Sequence, residues 1–568
     1  MEKIKKYVTD INLPLFWFLF VGTFVVGLFH EPAGALCSVV LLVLTAVKVF
    51  QTGKLNIPVS VEAIAVLAVS LGYLVTVLWG VDKYYSLLGF AKFLPLPLFW
   101  LYLGTTKAEQ RSRCLLYVPL SGVMMTVVSA LMTWLGKGEA LFSVSGRIGG
   151  FFQYPNTFAL FLIAGIIIVS SRESFHWQHA VIDVILIFGV FLSGSRTSFI
   201  MLILAVLGLV FTAKNKKAKI IVSAGFVLAA AVGIVYFAVT GRHGAIGRFL
   251  AISADSGTLL GRLLYFKDAL RVIAKHPFGL GYMGYYFAQG SFQTGVYSNQ
   301  FVHNELLQLL LDIGWIPAVL CIVCAVRALL SKAPDNTNRL VVFVILAHCM
   351  LDFDLQFLSI VFLLQLCAYR ETSFKEISFK KSAAAAATAA LAAVCCVCVL
   401  LSAPQVMYLL SQPERAVKLC RYHTMAQVEL LQETDALYLK KECAETILKN
   451  DKYISNAYST LAFGYYADGD IEKTIQYKKK AIENARYFTE EYADYCTMLL
   501  KTINLYIERE DYDSALFCIK ELKALVKTVD TVNASTDKLA YRLTETPDLA
   551  LPAEYQEAID YYLSIANQ

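Results

Sequence analysis

The chain has 568 residues, 57% of them hydrophobic and 17% charged, with a net charge of +6 and a mean hydropathy of +0.57. Such a composition excludes a soluble globular protein of this length and points to an integral membrane protein. The net charge carries no nucleic-acid signal, because the cations collect in short gaps between apolar runs, so no nucleic-acid partner is expected.

In chain order, about thirteen apolar runs have the character of bilayer-crossing helices. They occupy 13–29, 34–49, 58–80, 84–103, 114–135, 157–171, 179–194, 197–213, 218–240, 304–327, 340–353, 355–370 and 383–403. The stretch 340–370 is short for two crossings and contains Asp352 and Asp354, so a helical hairpin and a single irregular segment both stay open. Lys and Arg gather at alternate gaps, from MEKIKK at the N-terminus to RETSFKEISFKK near 370–381, the pattern that marks cytoplasmic loops. The expected topology has a cytoplasmic N-terminus, with the loop 241–302 and residues 404–568 outside. Run 13–29 ends in LFHEPAG and leads at once into another run, so it reads as a span and not as a cleavable signal.

Arginines mark the outward gaps. Arg147 lies in SGRIGGFFQYPN and Arg196 in LSGSRTSF, each beside Gly and Ser that permit close backbone approach. Their planar forks suit phosphate oxygens; anchoring to lipid phosphate is the plainer alternative. The loop 241–302 carries Arg242, Arg248, Arg262, Lys267, Arg271 and Lys275 against Asp255 and Asp268, an excess of cations that predicts an anionic ligand. Aromatics fill the same loop, among them Tyr265, Phe278, Tyr282, Tyr285, Tyr286, Phe287 and Tyr297. They suit either stacking on sugar rings or an interfacial aromatic belt.

His303 and Asn304 then open the run 304–327. With a helix beginning near Asn299 or Gln300, His303 falls in the first turn, where the positive end of the helix dipole disfavours imidazolium. At 3.6 residues per turn His303, Leu307, Leu310 and Gly314 share one face, and Gly314 admits a neighbouring helix. A purely structural His–Asn helix start is the alternative. Further on, His348 and Asp352 form an i, i+4 pair, either functional or a paired structural contact. Asp352-Phe353-Asp354 resembles a metal-binding DxD triplet, too short a pattern to carry weight, and neither metal nor cofactor is expected.

At Pro404 the composition turns charged and Tyr-rich. The segment NAYSTLAFGYYADGDIEKTIQYKKKAIENA resembles a tetratricopeptide repeat through Tyr458, Leu461, Ala462, Tyr465, Gly469-Asp470, Thr474 and Ala481, with a weaker copy around Asp511-Tyr512 and Ala515. The tail is either a solenoid that docks a protein or glycan partner or a packed helical cap. Cys420, Cys443, Cys496 and Cys518 show no metal spacing, and their pairing stays open.

Taken as a set, these pieces resemble the O-antigen ligase and O-antigen polymerase superfamily, bacterial membrane glycosyltransferases of the C type. The matching pieces are Arg147-x-Gly149-Gly150 with Pro155-Asn156, Ser195-Arg196, and Gly261-Arg262 with His276-Pro277 and Gly279-x-Gly281. The last is His303-Asn304, with nine residues before Gly314. The family pattern places Gly, Thr or Tyr three positions after that glycine, and Pro317 stands there instead. The likeness covers roughly residues 60–370, and the tail is similar to an extension found on some members.

The resemblance implies an all-α protein, a polytopic membrane domain over 1–403 followed by an extracytoplasmic helical domain over 404–568. It implies transfer of a saccharide from a polyprenyl-pyrophosphate carrier to a hydroxyl of a glycan, lipid or protein acceptor, outside the membrane and without a cofactor or metal. His303 and Asn304 are then catalytic, His303 as the base a weakly nucleophilic sugar hydroxyl needs. Arg147, Arg196 and Arg262 hold the donor pyrophosphate, with Lys267, Arg271, His276, His348 and Asp352 behind them. The competing class is a transporter or flippase of lipid-linked saccharides, which predicts internal repeats and midplane helix breaks. A receptor with a sensing tail is a third reading, and it leaves the cationic loop idle.

Overall fold

The computed structural model describes residues 12–174, 176–240, 257–331, 335–370, 374–378, 380–543 and 547–565. Helices stand at the positions the apolar runs predict. Among the described residues five are long and apolar enough to cross a membrane: Glu31–Thr52, Val61–Leu78, Lys83–Leu103, Ala108–Trp134 and Lys381–Leu409. Shorter apolar helices include Pro155–Ser170, Trp177–Ser193, Arg196–Thr212, Trp315–Leu330 and Leu358–Ala368. Leu, Val and Phe side chains such as Phe211, Leu228 and Leu400 stay exposed on helix surfaces, which suits contact with hydrocarbon and not with water.

The chain forms two compact units. The first comprises residues 1–74, 88–253 and 303–402 and the second 75–87, 254–302 and 403–568. At the centre of the first unit runs Pro155–Ser170, buried along its whole length and packed on Tyr117–Trp134, Trp177–Ser193, Arg196–Thr212 and Asn336–Cys349. Its sequence, PNTFALFLIAGIIIVS, is apolar all round after the first turn, as a helix enclosed on every side must be. Two short antiparallel pairings complete this unit: Lys54–Pro58 with Phe374–Ser378, and Ser143–Val144 with Arg147–Ile148.

In the second unit the tail folds into antiparallel helix pairs. Ser455–Ala467 turns through Gly469, at φ +78°, into Ile471–Glu483, and Tyr458, Leu461, Ala462 and Ala481 are buried between them. Thr489–Glu508 and Tyr512–Ser535 form the next pair, around a core that includes Tyr492, Tyr495, Leu499 and Leu522. All thirteen cysteines are free thiols, and Cys496 and Cys518 are buried.

Several local expectations are corrected. The helix after Asn304 starts at Glu305, not near Asn299, and the run 304–327 divides into Glu305–Ile313 and Trp315–Leu330. Gly314 lies between them at φ 80°, ψ −169°, a conformation essentially reserved for glycine, so it breaks the helix there. Pro317 then falls in the first turn of the second helix, where no N–H is missed.

The run 13–29 is a succession of short α, π and 3-10 turns, not one regular helix. The loop 241–302 is largely helical where described, with Gly257–Lys275 and Gly284–Phe292; Arg242, Arg248 and Asp255 lie outside the described residues. Tyr282, Tyr285 and Phe287 are buried in that unit, so they build its core and offer no face to a sugar. The stretch 340–370 resolves as a hairpin, with Asn336–Cys349 and Leu358–Ala368 joined through a 3-10 turn at Asp354–Gln356.

Candidate functional site

His303 immediately precedes the N-cap of Glu305–Ile313. Asn304 is that cap: its Oδ1 accepts from Leu307 N at 3.0 Å, and its Nδ2 donates to the Met350 carbonyl at 2.9 Å. The Asn304 amide is thus committed at both ends. This pins the helix start to the chain just before Asp352. His303 has a positive φ of 56°, a strained choice for a non-glycine residue, of the kind that recurs at functional sites. Its ring meets Phe353 edge-on at 5.1 Å, and Nδ1 lies 3.1 Å from Asp352 Oδ1.

Asp352 is fully buried and ringed by donors. Besides His303, the Tyr154 hydroxyl donates to Oδ1 at 2.7 Å, Phe353 N to Oδ1 at 3.0 Å, and Asn156 Nδ2 to Oδ2 at 2.5 Å. With Nδ1–H donating to the carboxylate, the lone pair of a neutral His303 ring sits on Nε2, and no described residue bonds that nitrogen. This orientation of an imidazole by a buried carboxylate is the device that keeps a general base in the correct tautomer.

Arg147 joins the same network. Residues Val144-Ser145-Gly146-Arg147 form a two-residue hairpin turn with Ser145 at φ 52° and Gly146 at φ 72°, the positive pair such turns demand. Gly150, at φ +56°, then folds the chain so tightly onto Phe158 that a Cβ would stand 2.7 Å from its ring. The folded segment brings Arg147 Nε to the Ser193 carbonyl at 2.9 Å and Nη2 to Asn156 Oδ1 at 2.6 Å. Asn156 therefore links the Arg147 guanidinium to the Asp352 carboxylate.

A second histidine–aspartate pair lies alongside. His348 Nδ1 is 2.6 Å from Asp354 Oδ2, and Nε2 is 2.9 Å from Ser198 Oγ. Thr157 Oγ1 donates to Asp354 Oδ1 at 2.7 Å, and Ser198 Oγ lies 3.2 Å from the Asn156 carbonyl oxygen and 2.8 Å from Ser195 Oγ. The helix that carries His348 ends at Cys349, and beyond it Asp352 turns to His303 while His348 holds Asp354. The two carboxylates of the DxD triplet likewise serve different histidines. Among the described residues no three His, Cys, Asp or Glu side chains converge as metal ligands.

Arg196 is the first residue of the helix Arg196–Thr212, capped by Ser195, whose Oγ accepts from Ser198 N at 3.2 Å. Its charge adds to the positive end of the helix dipole. Arg262, Lys267, Arg271 and His276 belong to the second unit. Arg262 is buried in Gly257–Lys275; Lys267 is ion-paired with Asp537, and Arg271 reaches Asp268 at 3.1 Å and Asp537 at 3.9 Å. His276 is exposed just after that helix. Burial raises the carboxyl of Asp268, although Thr294, Tyr297 and Arg271 pull it down. For Asp537 burial is outweighed, and Lys267 with Leu539 N and Arg271 holds it below the usual range.

In the first unit a largely apolar cleft of about 200 Å³ is lined by Ala65, Val69, Leu309 and Val342, together with Glu62 and Glu305. Glu305 is the residue next to the Asn304 cap.

Residues 181–322 match the family model of O-antigen ligase. The match places this stretch with the O-antigen ligases. It contains Arg196, Arg262, His303 and Asn304, while Arg147, His348 and Asp352 lie outside it. It supports glycan assembly by a ligase or glycosyltransferase working on a lipid-linked saccharide donor and a glycan acceptor and, together with the apolar helices, a membrane protein. No curated protein matches the chain. Sequence reasoning passed over Tyr154, Thr157, Ser198 and Asp354 as site residues; the serine beside Arg196 and the second aspartate of the triplet were the visible signals.

Proposed function

We propose that the protein transfers or polymerises a saccharide from a polyprenyl-pyrophosphate carrier onto an acceptor hydroxyl at the outer face of the cytoplasmic membrane. The observation that carries the reading is the His303–Asp352 pair within the network that Asn156 extends to Arg147. His303 Nε2 accepts the acceptor's hydroxyl proton, the oxygen attacks the anomeric carbon, and the bond from that carbon to the pyrophosphate oxygen breaks. Asp352 stabilises the imidazolium that forms. Charge on the departing pyrophosphate is met by Arg147 and Arg196, so the step requires no metal Lewis acid. Asn304 fixes where His303 stands, and the apolar cleft that Glu305 helps to line suits the hydrocarbon part of the donor.

The same reading takes residues 1–403 as a membrane domain of about thirteen crossings with a cytoplasmic N-terminus, and 404–568 as an extracytoplasmic tetratricopeptide-like domain. Single cysteines after residue 420, in a cysteine-free background, then react with a membrane-impermeant thiol reagent in intact cells. The central test is His303→Ala in membranes with saturating lipid-linked donor. Donor binding persists and turnover per folded molecule falls roughly 100- to 10,000-fold. Turnover near the wild-type rate would remove His303 as the base. Cells carrying the variant accumulate lipid-linked units on the outer face; units trapped inside instead favour a flippase.

A further inference from the structure

The second unit carries a groove that the transfer chemistry does not use. It has a volume of about 490 Å³, within the range for small-molecule sites. One wall is a face of Ser455–Ala467, where Asn456, Ser459, Thr460 and Phe463 recur at helical spacing; Gln432, Asp435 and Lys440 also line it. So does Glu491, only 4% exposed. Lys478 Nζ donates to its Oε2 at 2.6 Å, and Ser459 Oγ to the same oxygen at 2.9 Å. No described residue bonds Oε1, so a fixed carboxylate oxygen remains to accept a hydrogen bond from an occupant.

We propose that this groove binds the saccharide chain, as acceptor or as grown product, and so holds it on the enzyme between transfers; the proposal rests on the glycan-assembly reading. Its chemistry favours a polyhydroxyl ligand. Hydroxyl groups both donate and accept, and here amides offering both functions stand beside carboxylate acceptors and a lysine donor. Phe463, 55% exposed on an otherwise polar wall, supplies an apolar face for the C–H side of a sugar ring. An anionic peptide fits poorly, since Asp435 and Glu491 face the groove against one lining cation, Lys440.

The test uses the full-length protein in nanodiscs without lipid-linked donor, so that nothing is transferred. The probes are surface-polysaccharide fragments of the producing cells, freed from lipid by mild acid and titrated calorimetrically. Saturable binding, weakened about tenfold by Phe463→Ala and by Asn456→Ala, is the expected result. Both side chains lie on the groove surface, and circular dichroism checks that the variants keep their helices. Absence of saccharide binding, or binding indifferent to both substitutions, overturns the proposal, as does displacement of the fragments by an extended-peptide pool at lower concentration. Failure of the transfer reading shows separately, as normal turnover by His303→Ala. With donor restored, Phe463→Ala turns over a short acceptor at the wild-type rate and weakens use of long acceptors. Equal effects on both lengths count against the groove.

Discussion

Replacing Asp352 with Asn keeps the shape of the side chain and removes its charge, and the structure leaves the amide no comfortable orientation. Four donors converge on the carboxylate: His303 Nδ1, Tyr154 Oη and Phe353 N on Oδ1, and Asn156 Nδ2 on Oδ2. If the new NH2 takes the Oδ2 position, it confronts the Asn156 NH2 at a spacing of 2.5 Å. Turning the Asn156 amide over relieves that clash and points its NH2 at the Arg147 guanidinium, which now donates to Asn156 Oδ1 at 2.6 Å. If the NH2 takes the Oδ1 position, three donors lose their acceptor, and His303 must shift its proton to Nε2, the nitrogen that has to receive one.

Each buried group left unsatisfied costs about 1–3 kcal/mol, and loss of a charge-assisted bond costs about 1.5–3 kcal/mol. At about 1.4 kcal/mol per tenfold, turnover falls on the order of 100- to 10,000-fold, with donor affinity changed far less because the proposed role of Asp352 is to orient His303. The assay is single-turnover transfer from saturating lipid-linked donor, normalised to folded protein by size-exclusion fluorescence. Turnover within about threefold of wild type, roughly 0.7 kcal/mol, would show that Asp352 neither orients His303 nor stabilises its protonated form.

The other expectations concern different links of the argument. Gly314→Ala forces a side chain into a glycine-only conformation and costs about 1–3 kcal/mol; membrane abundance drops while activity per folded molecule holds, and normal abundance refutes the strain. Arg147→Lys keeps the charge but cannot make both the Ser193 and Asn156 bonds; transfer falls by about 1–3 kcal/mol in barrier terms, and an unchanged rate makes Arg147 a generic anchor.

Asp451, in the second unit, has its carboxyl raised by burial, with nearby Asp82 adding, and its Oδ2 is buried without a partner. A folded value above the unfolded one means the folded state holds the proton more tightly, so this contribution to stability is lost as pH rises from about 3.9 through the raised value. Thermal unfolding of Asp451→Asn, followed by intrinsic fluorescence between about pH 5 and pH 8, depends less steeply on pH than that of wild type; parallel slopes refute the assignment.

Helix positions were legible because a bilayer imposes a length: runs near twenty apolar residues had to become helices, and from Glu31 to Leu409 they do. Breaks within the runs were harder to read. Gly314 followed by Pro317 is a sufficient signal for one, yet the periodicity of Leu306, Leu307, Leu310 and Leu311 argued for continuity. Aromatics in the 257–302 segment misled in the opposite sense, since composition cannot distinguish Tyr285 at the core of a helical unit from a tyrosine offered to a sugar. The partners of the site were least legible of all. His303 and Asp352 stand 49 residues apart, and Asn156 enters from a third helix; nothing local in the sequence ties the three together.

Two histidine–aspartate pairs built side by side raise the question of why one histidine should be the base. Bond lengths do not decide it, for His348 holds Asp354 more closely than His303 holds Asp352. Access does. The His303 side chain is 21% exposed and that of His348 is 0%, with both ring nitrogens of His348 already engaged by Asp354 and Ser198. An acceptor hydroxyl can reach Nε2 of the first and not of the second. The buried pair instead ties the start of Arg196–Thr212, through Ser198, to the chain around Asp354. Ser198 also touches the Asn156 carbonyl, and Asn156 bridges Arg147 and Asp352. In a medium without water an unsatisfied polar group is costly, so a network in which these members hold one another is hard to rearrange locally. That rigidity is what the proposed base, set against the proposed pyrophosphate leaving group, requires.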